Sequence, residues 1–261
     1  MKINEFYQKL NEAAPKALSD EYCAAYGAYD NSGLLISVGE EAEKALFTLD
    51  LTDGAIEKAK TEGANVIVTH HPVIYAPIKS VDGKLARCIR AGISVISMHL
   101  NLDVANGGID ESLAFAVSKA CGGERPRGER IRHPLSQGGY GRAYEVEKVK
   151  AEDFVRALKG ELNTEKIWLF GEKERVISKA ASFCGSGIDD GAIEFAKENG
   201  ADAVISADWK HHQIINVLEE GMLAVQLTHC ASEAYGFKKY YEKISRTVEV
   251  GCSYYEEKQL F

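Results

Sequence analysis

The chain contains a stretch that occurs twice, and this near-repeat constrains the fold more than any other feature of the sequence. Residues 53–69 read DGAIEKAKTEGANVIVT, and residues 190–206 read DGAIEFAKENGADAVIS. Aligned without gaps, nine of the 17 positions are identical, and the final Val-Thr changes only to Ile-Ser. The alternative is a chance match between two generic helix-and-strand segments, which explains so many identities less well. We therefore interpret the similarity as an internal duplication.

Each copy predicts a helix, a glycine and a buried strand. Asp53 and Asp190 are of the residue type that caps a helix N-terminus. Gly63 and Gly200 stand where a helix would end in the left-handed conformation. A short apolar strand follows each glycine. Helix, glycine turn and apolar strand in succession are typical of α/β layers with a largely parallel sheet.

The same order of elements recurs further along the chain, in RAGISVISMH (90–99) and LEEGMLAVQLTH (218–229). The segment 122–139 is rich in Gly, Arg and Pro, and it predicts a connector. We therefore predict an α/β fold of two related lobes, which are residues 1–125 and residues 126–261. The C-terminal segment is a candidate to pack back onto the first lobe and complete it.

Composition excludes several classes of protein. The 261 residues fit one large domain or two of ordinary size. A formal net charge of −8 argues against general nucleic-acid binding, which needs clustered Lys and Arg. The chain has no apolar leader and no run close to the roughly 20 apolar residues of a membrane span. Its six cysteines are scattered without a CxxC spacing, so we predict a reduced, cytoplasmic protein.

Histidines follow the predicted strands at the point where each strand ends. Six of the seven histidines lie at four such ends, with acidic residues nearby, whereas His133 lies in the predicted connector. In α/β sheets, functional groups collect beyond the carboxyl ends of the strands. Imidazole together with carboxylate favours Zn, Fe, Mn, Co or Ni. The strand-end histidines are His70, His71, His99, His211, His212 and His229, and the nearby acids are Asp103, Asp208 and Glu233.

The adjacent pair His70 and His71 favours two metal ions over one. Successive side chains of an extended chain point in opposite directions, and Pro72 biases the preceding residue toward that conformation. Each histidine can therefore reach a different ion of a pair. Glu233 is a candidate bridging carboxylate, because it shares a helix face with His229 if a helix begins there. The alternative for the pair alone is a strand end in contact with solvent.

Five blocks of the sequence resemble, in order, the GTP cyclohydrolase I type 2 family, also called the NGG-one-interacting factor three family. They are YDNSGLLI, THHPVIYAPIKSV, HLNLDVANGGIDESLA, SADWKHH and THCASE. The resemblance implies a two-lobed α/β subunit with a dinuclear metal site in the cleft between the lobes, and ring-shaped homohexamers. It also implies a ligand set for two divalent ions: His70, His71, Asp103, His229 and Glu233. Further positions that it places around the site are His99, Asn101, Asp208 and His211.

Three functions remain open at this point. The first is a dinuclear metal-dependent hydrolase that acts on a nucleotide or another phosphoester, with His99 or His211 carrying protons; the family name suggests GTP. The second is a non-enzymatic metal-binding or regulatory interaction protein. The third is an α/β protein whose histidines are surface polar groups and which binds no metal.

Overall fold

The computed structural model describes residues 1–257 of the chain. No helix in this range is long and apolar enough to cross a bilayer. The first part of the chain forms α1 (Ile3–Ala13), α2 (Lys16–Tyr26), β1 (Gly33–Ile36), β2 (Lys44–Thr48), α3 (Asp53–Glu62), β3 (Val66–Thr69), α4 (Gly83–Arg90), β4 (Ser94–Ser97) and α5 (Leu100–Val104). The rest forms α6 (Ile109–Ala120), β5 (Arg127–Pro134), β6 (Gly139–Lys150), α7 (Ala151–Glu161), β7 (Trp168–Phe170), β8 (Val176–Ser182), α8 (Asp190–Glu198), β9 (Ala203–Ser206), α9 (His211–Glu219), β10 (Leu223–Gln226), α10 (His229–Ser245) and β11 (Gly251–Tyr254).

The chain divides into two compact units. Among the described residues, the first unit contains 1–105 and 237–257, and the second contains 106–236. Helix α10 therefore begins in the second unit and ends in the first. The boundary that the sequence predicts, between residues 125 and 126, falls inside the second unit. The last part of that predicted lobe, residues 258–261, lies outside the described residues.

The first unit is built on a five-stranded sheet in the order β1-β4-β3-β2-β11. Strand β1 is antiparallel to β4, and the other neighbours are parallel. Helix α3 packs its apolar face on this sheet, with Ile56 and Ala59 in one buried cluster with Leu46, Ile67 and Val95. Burying an aliphatic side chain of this size stabilises the fold by about 1.5–3 kcal/mol, so these short apolar strands form the core of the unit.

The second unit is built on a six-stranded sheet in the order β5-β6-β8-β9-β10-β7. The three strands β8, β9 and β10 are parallel, and antiparallel strands flank them on both sides. The prediction of a connector over residues 122–139 is wrong for β5, which pairs with β6 at the edge of the sheet. Its first four residues are charged or glycine and exposed, so the strand lacks the apolar alternation that identifies a strand in sequence.

Both copies of the near-repeat form a helix followed by a parallel strand, but the predicted helix caps are wrong by one residue. The caps are Thr52 and Asp189, whose side chains accept hydrogen bonds of 3.0 and 2.7 Å from N–H groups three residues on. Asp53 and Asp190 are the first helical residues, where a negative charge complements the helix dipole. The predicted left-handed glycines are confirmed, with φ values of 70° and 67°.

Candidate metal centre

Three neighbouring parallel strands of the first unit end at the same level of the sheet. Thr48 of β2 pairs with Thr69 of β3, which in turn pairs with Ser97 of β4. The residues that follow these strands are therefore brought to one edge, where α/β proteins collect functional groups. These residues include Asp50, His70, His71 and His99.

His70 is completely buried at this edge. Its Nδ1 lies 2.7 Å from the carbonyl oxygen of Met98, and because a carbonyl oxygen only accepts, Nδ1 carries the proton. In the neutral ring, Nε2 then presents its lone pair, and it lies 3.5 Å from Oδ1 of Asp103 on α5. Asp103 is itself only 6% exposed. Two electron-rich atoms that face each other in a buried place are suited to share a cation.

His71 is held by a carboxylate instead of a carbonyl. Its Nδ1 lies 2.8 Å from Oδ1 of Asp50, which follows β2. The rings of His70 and His71 are 4.8 Å apart between centroids and are tilted by 50°. The two neighbouring imidazoles are thus fixed by different partners, and each has its Nε2 directed away from the group that holds its Nδ1.

His99 is held by a buried carboxylate, that of Asp30, through an Nδ1–Oδ1 contact of 2.8 Å. Asp30 also accepts hydrogen bonds from the hydroxyls of Ser19 (2.5 Å) and Ser32 (2.6 Å). Burial raises the pKa of Asp30, but the hydrogen bonds from His99, Ser19 and Ser32 together outweigh burial and hold that pKa well below its usual value. The carboxylate therefore stays charged and accepts a hydrogen bond from Nδ1–H of His99.

These arrangements bring three candidate ligands together inside the first unit. His70, His99 and Asp103 each offer one ligand atom, and these atoms all lie within 4.8 Å of one another. Two imidazole nitrogens and a carboxylate oxygen suit a transition metal or zinc, and do not suit Ca²⁺ or Mg²⁺, which prefer oxygen alone. The residues therefore fit a divalent ion of the predicted type.

The second unit carries a pair of candidate donors on α10, the helix that follows β10. His229 is the first residue of α10, and its Nδ1 lies 2.6 Å from Oδ2 of Asp208. Its Nε2 lies 3.0 Å from Oε1 of Glu233, one helical turn further along. The predicted shared helix face of His229 and Glu233 is therefore confirmed. Glu233 is buried, with 3% of its surface exposed.

The backbone near His229 and Glu233 has two unusual features, at Asp208 and at Gly185. Asp208 adopts a left-handed conformation with φ 52°, which is uncommon for a residue other than glycine. Gly185, with φ 53°, lies so near that a Cβ atom there would sit 2.6 Å from Oε1 of Glu233 and 3.3 Å from Nε2 of His229. The N–H of Gly185 donates to Ser232 on the same helix. A side chain at position 185 would therefore displace the carboxylate of Glu233 and lie in tight contact with the ring of His229.

The remaining predicted residues lie in different surroundings. His211 is the first residue of α9 and is exposed. Asn101 is buried on α5, and its amide group donates a 2.7 Å hydrogen bond to the carbonyl oxygen of Ala14. This bond ties α5 to the end of α1, so Asn101 supports the helix that carries Asp103.

The sequence did not predict the roles of Asp30 and Asp50, whose carboxylates face Nδ1 of His99 and His71. Asp50 follows the apolar stretch KALFT, and the same strand-end rule applied to β2 would have found it. Asp30 lies in a loop before β1 and is separated from His99 by most of the unit along the chain. The one indication in the sequence that Asp30 lies near the site is its place in the block YDNSGLLI, which resembles the family.

The fold and the strand-end donors define a two-unit α/β protein with a candidate metal centre, and a family comparison agrees with this class. The sequence model of Duf34/NIF3 (NGG1p interacting factor 3) matches residues 1–258. The chain belongs to this family.

Individual relatives are similar over nearly their whole length. The GTP cyclohydrolase 1 type 2 homolog of Methanocaldococcus jannaschii is 29% identical over 256 residues, which are 96% of this chain and 97% of the relative. The protein of the same name from Clostridium perfringens is 27% identical over 268 residues, covering 99% and 97%.

Solved structures agree on the fold. Staphylococcus aureus hypothetical protein SA1388 superposes with a TM-score of 0.81 at 24% identity, covering 98% of this chain and 96% of that one. Reduced HcgD from Methanocaldococcus jannaschii gives a TM-score of 0.77 at 26% identity and covers 97% of each chain. The two-sheet α/β architecture is therefore that of NIF3 family proteins.

Proposed function

We propose that this protein binds two divalent metal ions and hydrolyses a nucleotide or another phosphoester with them. The proposed ligands are His70, His71, Asp103, His229 and Glu233. One observation carries the proposal: four of the strand-end histidines, His70, His71, His99 and His229, each have Nδ1 within hydrogen-bond distance of an oxygen acceptor.

An oxygen acceptor at Nδ1 favours the tautomer that carries its proton on Nδ1, although Nε2 of His229 also faces a carboxylate oxygen, that of Glu233 at 3.0 Å. A hydrogen bond from Nδ1–H to a carbonyl or carboxylate leaves Nε2 deprotonated and fixes the ring plane, which is how proteins orient metal-binding histidines. Histidines that serve only as surface polar groups have no need for four such partners, three of them carboxylates. The arrangement therefore supports metal binding over the third reading of the sequence.

The donor set suits Zn, Fe, Mn, Co or Ni. When bound, a pair of such ions would polarise the substrate and lower the pKa of a bound water toward neutrality. Glu233 is proposed to bridge, because a carboxylate has two oxygens and this one is buried beside an imidazole. His70 and His71, whose Nδ1 atoms have separate partners, are proposed to serve different ions.

His99 and His211 remain the proposed proton carriers, and for His99 the geometry also supports a ligand role. Its ring belongs to the group formed with His70 and Asp103. A His99→Gln variant separates the two roles. Loss of a ligand lowers metal affinity, whereas loss of a proton carrier lowers turnover at full metal occupancy. His211 is exposed and can exchange protons with water.

The substrate class rests on the metal pair and on the relatives. Two metals are well suited to phosphoester hydrolysis. The printed name of the M. jannaschii and C. perfringens relatives, GTP cyclohydrolase 1 type 2 homolog, makes GTP the first nucleotide to test.

Duplication, assembly and location complete the proposal. We infer that the two units descend from one duplicated α/β unit, which the near-repeat supports. A homohexamer and a cytoplasmic location are the states that the family resemblance and the scattered cysteines favour. Light scattering on the purified protein measures the first of these directly, and an assembly other than six chains would contradict it.

Metal analysis is the decisive experiment for the proposed function. The wild type is expected to hold close to two ions per chain after loading and dialysis. His70→Ala and Glu233→Gln are expected to lose at least one of them, whereas His212→Ala, at an exposed histidine of α9, keeps both. Wild-type protein without bound metal would contradict the proposal.

Turnover separates the enzyme from the alternative, a non-enzymatic metal-binding or regulatory protein. GTP and a panel of phosphoesters are incubated with the wild type loaded with each metal. Hydrolysis that follows metal content and disappears in Glu233→Gln supports the hydrolase. Full metal content without hydrolysis of any substrate supports the alternative.

A further inference from the structure

Two half-exposed tyrosines form a pair in the first unit. Tyr29 lies in the loop before β1 and is 53% exposed, and Tyr75 lies in the loop after β3 and is 52% exposed. Their rings meet edge to face, with centroids 5.4 Å apart and an interplanar angle of 82°. A tyrosine ring that is fully buried contributes strongly to stability. Two rings that are half exposed contribute less, so packing alone does not explain their position.

The tyrosine pair adjoins the candidate metal centre. The ring of Tyr75 lies 6.4 Å from the ring of His99, again nearly perpendicular to it. Tyr29 immediately precedes Asp30, the carboxylate that holds Nδ1 of His99. The ring of Tyr75 therefore lies beside the histidine that groups with His70 and Asp103, and the ring of Tyr29 lies against the ring of Tyr75.

The two loops are fastened to each other, so the rings are held in place. The hydroxyl of Tyr75 donates a 3.3 Å hydrogen bond to the carbonyl oxygen of Tyr29. The side-chain amide of Asn31 donates a 2.6 Å hydrogen bond to the carbonyl oxygen of Ile74. An aromatic surface that is fixed before a ligand arrives loses little conformational freedom on binding.

The size of this surface favours a small ligand over a protein partner. A tyrosine offers about 150–250 Å² of surface, so two half-exposed rings present roughly 200 Å². A stable protein interface needs about 800 Å² from each partner. One planar ring of a small molecule, in contrast, is covered by one or two tyrosines.

We propose that Tyr29 and Tyr75 form a stacking site for a planar heteroaromatic ring of the substrate. The ring stacks on the tyrosines, and the hydrolysable group extends toward His70, His99 and Asp103. This inference rests on the proposed function and deepens it, because it restricts the phosphoester to one that carries a flat ring, such as a nucleotide.

A matched pair of probes tests the stacking site. Guanosine monophosphate and ribose 5-phosphate share a sugar phosphate, and only the first carries a ring system. Calorimetry on the full-length wild type is expected to show tighter binding of guanosine monophosphate, by about five- to 100-fold, which is the usual contribution of one stacked base. Tyr75→Leu is expected to abolish this advantage and leave the affinity for ribose 5-phosphate unchanged. Tyr75→Phe keeps the advantage, and so does the control Trp168→Leu, at an exposed aromatic residue of the second unit.

The inference is overturned if the wild type binds both probes equally, or if Tyr75→Leu retains the advantage of the ring. If Tyr75→Leu retains the advantage and also dissociates the assembly in light scattering, the exposed loop contacts a second copy of the chain instead of a ligand. Measuring both probes on metal-free and metal-loaded protein keeps this result separate from the proposed function. Absent metal would refute the metal centre, whereas equal binding of the probes refutes only the stacking site.

Discussion

The two units share a framework and differ in what they place on it. The strand order β1-β4-β3-β2 of the first unit corresponds to β7-β10-β9-β8 of the second, with three parallel strands and one antiparallel edge strand in each. The first unit extends this set with the parallel strand β11, and the second extends it with the antiparallel strands β6 and β5. Similar sheets thus tolerate different additions at one edge.

The donors differ more than the sheets. In the first unit, three histidines come from two strand ends, and their Nδ1 atoms are held by Met98, Asp50 and Asp30. In the second unit, one histidine and one glutamate come from a single helix, and Asp208 holds the ring. A strand end therefore fixes where a donor lies, whereas the neighbouring loops decide how many donors are held there.

The largest expected effect concerns a buried arginine of the second unit. Arg142 is 2% exposed, and its guanidinium donates to Asp110 (2.8 Å) and Glu129 (2.5 Å). Arg142→Met leaves the charge of Asp110 buried without its cation, which costs about 3–5 kcal/mol in the free energy of unfolding. Urea unfolding followed by circular dichroism measures this loss.

The control for this prediction is Arg127→Met, because Arg127 pairs with Glu147 at an exposed position. Such a pair contributes about 0–1 kcal/mol. Equal losses in the two variants would mean that the buried pair does not stabilise the second unit as proposed.

The next effect is expected at Gly185, where the second unit leaves no room for a side chain. Gly185→Ala forces a Cβ to within 2.6 Å of Glu233, so either the donor or the loop must move. Metal affinity is expected to fall by about 100-fold, the upper end of what residues around a metal site produce. Competition with a chelating dye measures this affinity.

Gly63→Ala is the matched control in the first unit. Gly63 also has a positive φ, 70°, but a Cβ there would meet no atom within 4 Å. Both variants carry a left-handed alanine, which costs about 1–2 kcal/mol of stability, and only Gly185→Ala is expected to lose metal affinity. A similar loss in Gly63→Ala would attribute the effect to strain instead of crowding at the site.

A smaller effect is expected from the carboxylates that hold the histidines, and it compares the two units directly. Removing such a partner usually lowers metal affinity by about 10–100-fold. Asp30→Ala is expected near the upper end, because its side chain is 1% exposed and water does not replace it. Asp208→Ala is expected near the lower end, since its side chain is 48% exposed. The reverse order, in the same dye assay, would contradict the burial argument.

The layering of the fold could be predicted from the sequence because it depends on local patterns. The apolar strands and the left-handed glycines after α3 and α8 are visible in any short window. Strand β5 could not be predicted, because its residues are polar and its pairing with β6 decides its conformation. The caps Thr52 and Asp189 were missed for a similar reason, since adjacent polar residues compete and only the backbone decides between them.

The part of the candidate site that lies at or just after the strand ends could be predicted from the sequence. His70, His71, Asp103, His229 and Glu233 follow strands directly or by one helical turn, so position alone nominated them. Asp30 could not be found in this way, because its contact with His99 depends on a loop that returns from far along the chain. The tyrosine pair depends on two loops, and no periodic pattern marks it.

The smallest expected effect lies where the near-repeat diverges. The position after Thr61 is Glu62 in the first copy, and the corresponding position of the second copy is Asn199. Glu62 lies against Lys58 (2.8 Å), accepts a hydrogen bond from Ser253 of β11 (2.6 Å) and lies 3.3 Å from Lys44. Glu62 thus links α3 to β11, and Asn199 is the residue at the corresponding position of the second unit.

These contacts make stability depend on pH. Hydrogen bonds from Lys58 and then Ser253 lower the pKa of Glu62 from 4.5 to about 2. A lowered pKa in the folded state stabilises above pH 4.5, and that stabilisation is lost as the pH falls from 4.5 toward 2. Glu62→Gln is therefore expected to reduce the free energy of unfolding by less than about 1 kcal/mol at pH 7, since the contacts are near the surface.

The pH series supplies the control within one experiment. The difference between wild type and Glu62→Gln in urea unfolding is expected to shrink as the pH falls from 4.5 toward 2, because the unfolded chain takes up a proton at Glu62 before the folded protein does. Asn199→Asp, which puts a carboxylate at the corresponding position of the second unit, is expected to show no such pH-dependent gain, because β11 is the element that Glu62 fastens and it belongs to the first unit. A difference that stays constant with pH would mean that Glu62 acts through packing, and the two copies would then differ at this position without an electrostatic reason.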